Sequence, residues 1–226
     1  PPRSTLFPYT TLFRSQHSPF FAQAWQFDQV SLAASRSAQT PDSQIDLSRF
    51  FIRNADVQLD LAGSWTPQGT DWRQSRLDLT ARAQRIQLNR LYTYFPTPLI
   101  PQTVVDWLQH GLPAGQASAA ALRWQGRLDQ YPYKDPAQGL FYVGAAIEDA
   151  TVDYYPAQGA EKGWPKVEKV AGALSIVGNQ LRLQSATGNI KPNGKDVVLA
   201  PAINVAIDDF AADEPYLTVA AETHGP

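Results

Sequence analysis

Apolar and polar residues alternate along most of the chain beyond Gln16, and this period of two limits the possible folds more than any other feature. In the stretch LRWQGRLD, Leu122, Trp124 and Leu128 alternate with charged or polar residues. Successive side chains of a β-strand point to opposite faces of a sheet, so this pattern predicts a strand with one apolar and one polar face. Such strands favour antiparallel pairing, because a parallel sheet is ordinarily covered on both faces.

The same alternation recurs roughly every 8–15 residues, which leaves little room for crossover helices. It occurs at 57–63, 75–88, 141–149, 174–185, 203–208 and 216–222. Turn sequences separate several of these runs, namely Gly178-Asn179, Pro192-Asn193-Gly194 and Lys134-Asp135-Pro136. The predicted fold class is therefore mainly β, with a long antiparallel-rich sheet.

One stretch, PQTVVDWLQHGLPAG, departs from the period of two. Its apolar residues stand at helical spacing: Val104, Trp107, Leu108 and Leu112. Pro101 suits the first turn of a helix, and Gly111 and Pro113 supply a stop, so we predict a short helix over about 101–110. This helix either plugs one end of the sheet or gates access to it, or it covers an exposed edge, and covering is the favoured role.

Composition argues against two classes of protein. Hydrophobic residues make up 43% and charged residues 18% of the chain, which indicates a globular rather than a disordered protein. The net charge of −2 and the scattered Lys and Arg residues argue against nucleic-acid binding, which needs a basic stripe. No run of about 18 apolar residues occurs, so no transmembrane helix is predicted within this chain.

The beginning of the chain is unusual. The first fifteen residues, PPRSTLFPYTTLFRS, contain TLF twice and resemble translated sequencing-adapter read-through. We interpret 1–15 as an artefact and 16–226 as a fragment of one continuous β region, with a genuine strand–turn–strand start as the alternative. Because Met is absent even at position 1, we expect the natural start, with any signal peptide or anchor, to lie upstream. Cys is also absent, which leaves the compartment open.

Residues for catalysis or metal binding do not occur in a usable pattern. The three histidines lack metal-ligand spacing: His17, His110 and His224. No P-loop, GxGxxG, GxSxG or HExxH pattern occurs. Asp208 and Asp209 are adjacent, so on a strand they point to opposite faces, and Asp153 is interpreted as an outward-facing strand residue. We therefore predict no enzyme activity, no metal site and no cofactor.

Four ordered stretches carry a family resemblance: VVDWLQHGLPAG, LRWQGRLDQYPY with GLFYV, VDYYPAQGAEKGWPKVEKVAGALSIVGNQLRLQSATGNI, and PAINVAIDDFAADEPYLTVAAETHGP. The residues that carry it are Trp107, Leu108, Gly115, Gly126, Leu128, Tyr131, Pro132, Tyr133, Gly139, Phe141, Asp153, Tyr154, Trp164, Pro165, Asp208, Asp209, Pro215 and Leu217. With these residues the chain resembles the YhdP-type branch of the AsmA-like superfamily of Gram-negative envelope proteins, best over 86–226. Tyr at 131 and 133, where Phe is common, and the AQGAEKG insert before Trp164 depart from the pattern.

The resemblance implies a fold and a function. The implied fold is a long, single-layer sheet that curls into an open hydrophobic groove across the periplasm. An N-terminal helix outside this fragment would anchor the protein in the inner membrane. The implied activity is bridge-like transfer of phospholipids between the inner and outer membranes, with acyl chains and outer-membrane components as partners and no catalytic residues.

On this interpretation the apolar stripe lines a lipid groove. The predicted lining residues are Leu122, Trp124, Leu128, Phe141, Val143, Ile147, Leu174, Ile176, Leu181, Leu183, Ile203, Val205, Ile207, Leu217 and Val219. A closed sandwich or barrel core predicts the same alternation, so the pattern alone leaves both possibilities open.

Two other functions remain open at this level. A structural or assembly factor of the same superfamily would bind no lipid. A carbohydrate-binding β-sandwich would cluster some of the six Trp residues on one exposed face, although core or rim packing is the more ordinary role of such residues.

Overall fold

The computed structural model describes residues 13–14, 25–36, 43–94, 102–133, 135–154, 165–191, 197–210, 212 and 216–220. The described strands are β1 (Phe13–Arg14), β2 (Gln26–Phe27), β3 (Gln29–Arg36), β4 (Ile45–Arg53), β5 (Val57–Thr66), β6 (Arg76–Gln87), β7 (Ala114–Arg127), β8 (Gly139–Val152), β9 (Val167–Val177), β10 (Gln180–Ile190), β11 (Val197–Ile207) and β12 (Leu217–Ala220). The described helices are α1 (Gln102–Gly111) and three 3₁₀ helices, Trp72–Gln74, Leu88–Tyr94 and Leu128–Gln130.

Strands β3 to β12 form one ten-stranded sheet in which each strand pairs with its neighbours in sequence. Every pairing is antiparallel, so the chain runs up and down without crossovers. β1 and β2 form a separate pair. The predicted mainly β fold with an antiparallel sheet is confirmed, and the predicted runs lie in β5 to β12. The runs of alternation did not include β3 and β4.

One row of directly paired apolar residues crosses the whole sheet from β3 to β12. Its members are Leu32, Phe50, Leu61, Ala81, Leu122, Val143, Ile176, Leu181, Ile207 and Leu217. Paired residues in an antiparallel sheet lie on the same face, and residues two positions along a strand share that face. We call the face that carries this row the apolar face.

The opposite face, here called the polar face, has a different composition. Its row one residue along each strand consists of Ser31, Phe51, Asp60, Arg82, Ala121, Gly144, Ser175, Arg182, Ala206 and Thr218. Phe51 is the one large apolar member of this row, and the Arg49 guanidinium lies 5.4 Å from its ring centroid. The sheet is therefore two-sided, as the alternation predicted.

Bulges interrupt three adjacent strands. Ala119 in β7, Asp149 in β8 and Lys169 in β9 have φ values of 47°, 47° and 54°, and each lies at a shift in pairing register. A bulge bends its strand and increases the local right-handed twist. These positions therefore add curvature to the middle of the sheet.

The two ends of the strands differ. At the helix end, the 3₁₀ helix Leu88–Tyr94 packs against β6 and β7, and α1 packs against that 3₁₀ helix. At the turn end, Gly178 and Asn179 join β9 to β10 in the predicted tight turn. The bounds of α1 agree within one residue with the predicted helix. None of the described helices is long and apolar enough to cross a membrane.

Buried apolar residues concentrate at the helix end of the apolar face. One cluster contains Leu88, Ala117, Ile147, Ala150 and Val170. A second contains Phe27, Ile52 and Val57. No second large sheet covers the apolar face within the described ranges, so a two-sheet sandwich is not what these residues form.

Two positional predictions need correction. The alternation predicts a strand at Leu128, but β7 ends at Arg127 and Leu128 begins a 3₁₀ helix, whose turn is closed by the Tyr131 N–H donating to Leu128 O. The predicted outward-facing position of Asp153 is wrong, because Asp153 follows β8 and is buried, with its N–H donating to Gly111 O. The predicted turn at 192–194 lies outside the described residues, as do most of residues 1–15.

Candidate functional site

Fourteen of the fifteen predicted lining residues lie on β7 to β12, and the pairing register places them on the apolar face. Leu122, Val143, Ile176, Leu181, Ile207 and Leu217 belong to the row that crosses the sheet. Leu174, Leu183, Val205 and Val219 form a second paired row beside it. Trp124 pairs with Phe141 in a third. Leu128 is the exception described above.

Most of these side chains are only partly buried. Of the fifteen, only Ile147 and Ile203 are classed as buried, with 8% and 5% exposure. Leu217 and Val219 at the sheet edge are 45% and 56% exposed. Full burial of such a side chain would stabilise the fold by about 1.5–3 kcal/mol, and these residues realise only part of that. The apolar face therefore retains apolar surface that further cover could bury.

The apolar face also extends over β3 to β6, beyond the predicted site. Leu32, Phe50, Leu61 and Ala81 continue the row across these strands. Alternation in VSLAAS and VQLDLAG is the sequence signal that could have identified Leu32 and Leu61. In β4 a register shift between Leu47 and Phe50 breaks the period of two, so simple alternation does not identify Phe50.

Small side chains form the floor of the apolar face on β6 and β7. Ala81, Ala83 and Ala120 are 5%, 4% and 8% exposed, and Ala83 pairs directly with Ala120. Larger side chains lie on both sides of these alanines: Ile86 of β6 towards the helix end and Trp124 of β7 towards the turn end. Because the central side chains are shorter than those on both sides, the middle of this face is lower than its margins.

An aromatic cluster occupies the turn end of the apolar face. The Trp124 ring meets Phe141 edge-on with 5.1 Å between centroids, and Tyr131 lies 5.4 Å from Phe141. The Trp124 indole N–H donates to the Tyr133 hydroxyl at 3.0 Å. The Tyr131 hydroxyl donates to Gly178 O at 3.2 Å. The polar atoms of these rings are therefore paired, and the rings present carbon to the face.

Two glycines make room for Tyr133, which is 7% exposed. A Cβ atom added at Gly126 or at Gly139 would lie 2.6 Å from the Tyr133 ring. Tyr133 itself has a φ of 59°, a left-handed conformation that costs a non-glycine residue about 1–2 kcal/mol. The spacing G-x-L-x-x-[FY]-P-[FY] followed by G-x-F thus has a physical basis, because the ring of its last [FY] covers the two glycines.

Burial raises the pKa of both Tyr131 and Tyr133. Desolvation is the largest cause of the raised pKa in both residues, and the nearby Tyr133 and the charge of Asp209 raise the pKa of Tyr131 further. A raised pKa keeps each phenol protonated and neutral throughout the physiological range. The turn end of the apolar face is therefore uncharged wherever these two side chains cover it.

Helix α1 covers the opposite, helix end of the strands. Val105 is 3% exposed, whereas Trp107 is 41% exposed and its N–H approaches Tyr154 O at 3.5 Å. Buried Asp153 lies directly beneath this helix terminus and pairs with Lys166 at 3.2 Å. These contacts agree with the predicted covering role, and a gating role stays a prediction.

The acidic residues of the family pattern have structural partners. Asp208 pairs with Arg182 at 2.5 Å, and Asp209 accepts a hydrogen bond from Asn179 Nδ2 at 2.6 Å. Among the described residues, no group of three or more His, Asp or Glu side chains is arranged to hold a metal ion. Trp164 and Pro215 of the family pattern lie outside the described ranges.

The comparisons with known proteins give one match. The family model described as YhdP protein matches residues 8–226. No curated protein and no solved structure matches the chain. The matched range includes all ten strands of the large sheet and every described residue of the apolar face. The chain therefore belongs to the YhdP family, an AsmA-like group of cell-envelope proteins.

Proposed function

We propose that this chain is a segment of a periplasm-spanning protein that carries phospholipids between the inner and outer membranes, with their acyl chains on the apolar face. The observation that carries the proposal is the unbroken apolar row from Leu32 on β3 to Leu217 on β12. A row of this kind runs across the strands, from one edge of the sheet to the other. Membership of the YhdP family supports the same function.

The energetics of an acyl chain explain why such a row is useful. Exposing a chain of about sixteen carbons to water costs about 0.8 kcal/mol per CH₂, or on the order of 12 kcal/mol. An apolar track removes most of this cost at every step, while the polar headgroup stays in solvent. The contacts need no particular donor or acceptor, so aliphatic and aromatic residues can provide the whole pathway.

The dimensions of the sheet suit a track. Neighbouring strands lie about 4.8 Å apart, so ten strands extend the row to about 43 Å. The bulges at Ala119, Asp149 and Lys169 bend and twist three central strands, which favours a curled sheet over a flat one. With the apolar face on its concave side, such a sheet forms the open groove that the family resemblance implies.

The proposal includes location and partners. The segment would lie in the periplasm, held to the inner membrane by an anchor outside it and reaching towards outer-membrane components. Its ligand would be phospholipid acyl chains, and it would act without catalysis or a cofactor. The partial exposure of Leu122, Val143 and Ile176 supports a ligand-covered face rather than a sealed core.

Lipid extraction tests this function directly. The 226-residue chain is expressed in a Gram-negative host with export to the periplasm, purified without detergent, checked for β-structure by circular dichroism and extracted for mass spectrometry. We expect phospholipid in a fixed ratio to protein. A folded but lipid-free chain would instead favour the alternative of a structural or assembly factor of the envelope.

A further inference from the structure

The connection between β7 and β8 folds back over the apolar face. Its segment Leu128–Tyr133, here called the aromatic strap, is fixed at both sides of β8. Tyr133 covers the glycines at the ends of β7 and β8, and Tyr131 donates to Gly178 O between β9 and β10. The strap therefore covers the turn end of the apolar face over three adjacent strands.

The helix end of the same strands is also covered. The 3₁₀ helix Leu88–Tyr94 packs on β6 and β7, and Leu88 and Leu112 pack with Ile147 of β8. Between these two covers, Ala120 and Leu122 of β7 and Val143 and Ala145 of β8 lie on the apolar face, and Leu122 pairs directly with Val143. At about 3.3 Å per residue, two such rows give a strip roughly 13 Å wide.

The described ring contacts of the strap do not extend to the neighbouring strands β5 and β6. The row of paired residues at the turn end passes from Gly126 on β7 to Leu77 on β6 and Trp65 on β5. Trp65 is 39% exposed, and Leu77 is not fully buried. The strap reaches Gly126, the partner of Leu77 on β7, but no described contact of the strap covers the row on β5.

We propose that the aromatic strap makes β7 to β9 a constriction that accepts lipids with two acyl chains and excludes lipids with four or more. This inference rests on the proposed function and names the substrate class of the same face. Tyr133 and Tyr131 are the specificity-determining residues, because their rings occupy the strip that a wider, multi-chain lipid would need. The short side chain of the floor residue Ala120 leaves the remaining strip open for two chains side by side.

Several features indicate that the position of the strap is strongly determined. Tyr133 adopts a positive φ, a conformation that persists in a non-glycine residue only when surrounding contacts enforce it. Gly126, Gly139 and Gly178 all stand where a Cβ atom would come within 3 Å of strap atoms. A wall that is held this closely can exclude a ligand by size.

A competition experiment tests the constriction. The purified chain is incubated with vesicles that contain equal amounts of phosphatidylglycerol, with two chains, and diphosphatidylglycerol, with four. Bound lipids are then extracted and quantified by mass spectrometry. We expect the two-chain lipid to exceed the four-chain lipid on the order of tenfold, a ratio that a steric pocket can ordinarily provide.

Variants locate the selection in the strap. Tyr131→Ala with Tyr133→Ala removes both rings and should bring the ratio close to one without loss of the two-chain lipid. Tyr133→Phe keeps the ring, loses the hydroxyl that accepts from Trp124, and should keep the selectivity. Tyr142→Ala is the matched control, because Tyr142 lies on the same β8 strand, on the polar face, and is 38% exposed.

The outcomes separate the two proposals. Absence of bound lipid from every folded sample contradicts the proposed function. Equal binding of both lipids by the wild-type chain leaves the proposed function standing and overturns the constriction, even if the double variant does not fold. Unchanged selectivity in a folded double variant also overturns the role of the strap.

Discussion

Tyr133 lies over Gly126 so closely that a Cβ atom at residue 126 would come within 2.6 Å of its ring. The two residues belong to the same local segment, yet their contact brings the β7–β8 connection back onto the apolar face. The Trp124 indole donates to the hydroxyl of the same tyrosine. A sheet with one open face is thus closed locally by its own turn residues rather than by a second layer.

Replacement of Gly126 by Ala should destabilise the chain. Gly126 has a φ of 134°, which disfavours any residue with a Cβ atom, and the new methyl group would overlap Tyr133. Strain and overpacking together should lower the free energy of unfolding by about 3 kcal/mol. Urea denaturation followed by circular dichroism measures this loss.

Gly69→Ala is the control for that substitution. Gly69 also has a positive φ, 63°, but a Cβ atom there would meet nothing within 4 Å. The Gly69→Ala substitution should therefore lower the free energy of unfolding only through backbone strain, by about 1 kcal/mol. Equal losses at the two positions would mean that Tyr133 does not press on Gly126 in solution.

A second prediction concerns buried Asp153. Lys166 pairs with this carboxylate at 3.2 Å, and Lys191 pairs with the more exposed Glu168 at 3.1 Å. Lys166→Met leaves a buried carboxylate without its cation and should cost about 1–2 kcal/mol of unfolding free energy. Lys191→Met should cost no more than about 0.5 kcal/mol, because surface ion pairs contribute little. Thermal unfolding of the two variants compares them, and identical midpoints would show that burial of Asp153 does not matter.

Alternation alone predicts most of the sheet. Outside their bulges, strands β5 to β12 carry side chains that change face at every residue, so the presence of these strands and their apolar face follow from the sequence. The same principle fails in β4, where Leu47 and Phe50 share a face across a bulge. Bulges arise from the pairing of two strands, and a single run of letters does not contain that information.

The aromatic strap shows a different limit. Leu128 continues the alternating sequence pattern of β7, yet the strand ends at Arg127. The tertiary contacts of Tyr131 and Tyr133 with residues on β7, β8 and the β9–β10 turn decide this departure. The family pattern marked these residues, but only the packing explains why glycines and aromatics recur together. Asp153 was misjudged for the same reason, since its burial depends on α1.

Alkaline pH should loosen the turn end. Burial raises the folded-state pKa of Tyr131 and Tyr133 above the ordinary 10.0, so the folded chain retains protons that the unfolded chain loses. The resulting stability is fully present below pH 10 and disappears as pH rises through the higher folded values. Unfolding free energies measured across this window, with tyrosinate absorbance as the probe of ionisation, should fall. Tyr131→Phe should show a smaller fall, and an identical one would remove Tyr131 as a contributor.

Adjacent residues of β9 provide the sharpest test of an open apolar track. Ile176 lies on the apolar face in the row that crosses the sheet, and Val177 lies on the polar face and is 48% exposed. If the apolar face binds lipid as proposed, Ile176→Gln places an amide against acyl chains at a cost of about 1 kcal/mol, which corresponds to roughly fivefold less bound phospholipid. Val177→Gln should leave the bound lipid unchanged, because its side chain never meets the track.

The stability of the same two variants distinguishes a track from a sealed core. In a sealed core, Ile176→Gln would bury an unpaired amide and lower the free energy of unfolding by about 1–3 kcal/mol. On an open face the amide can reach solvent once lipid is absent, so the delipidated variant should unfold within about 0.5 kcal/mol of the wild type. A large loss of stability at Ile176 without loss of lipid would therefore mean that this face is an interior, and that the acyl chains lie elsewhere.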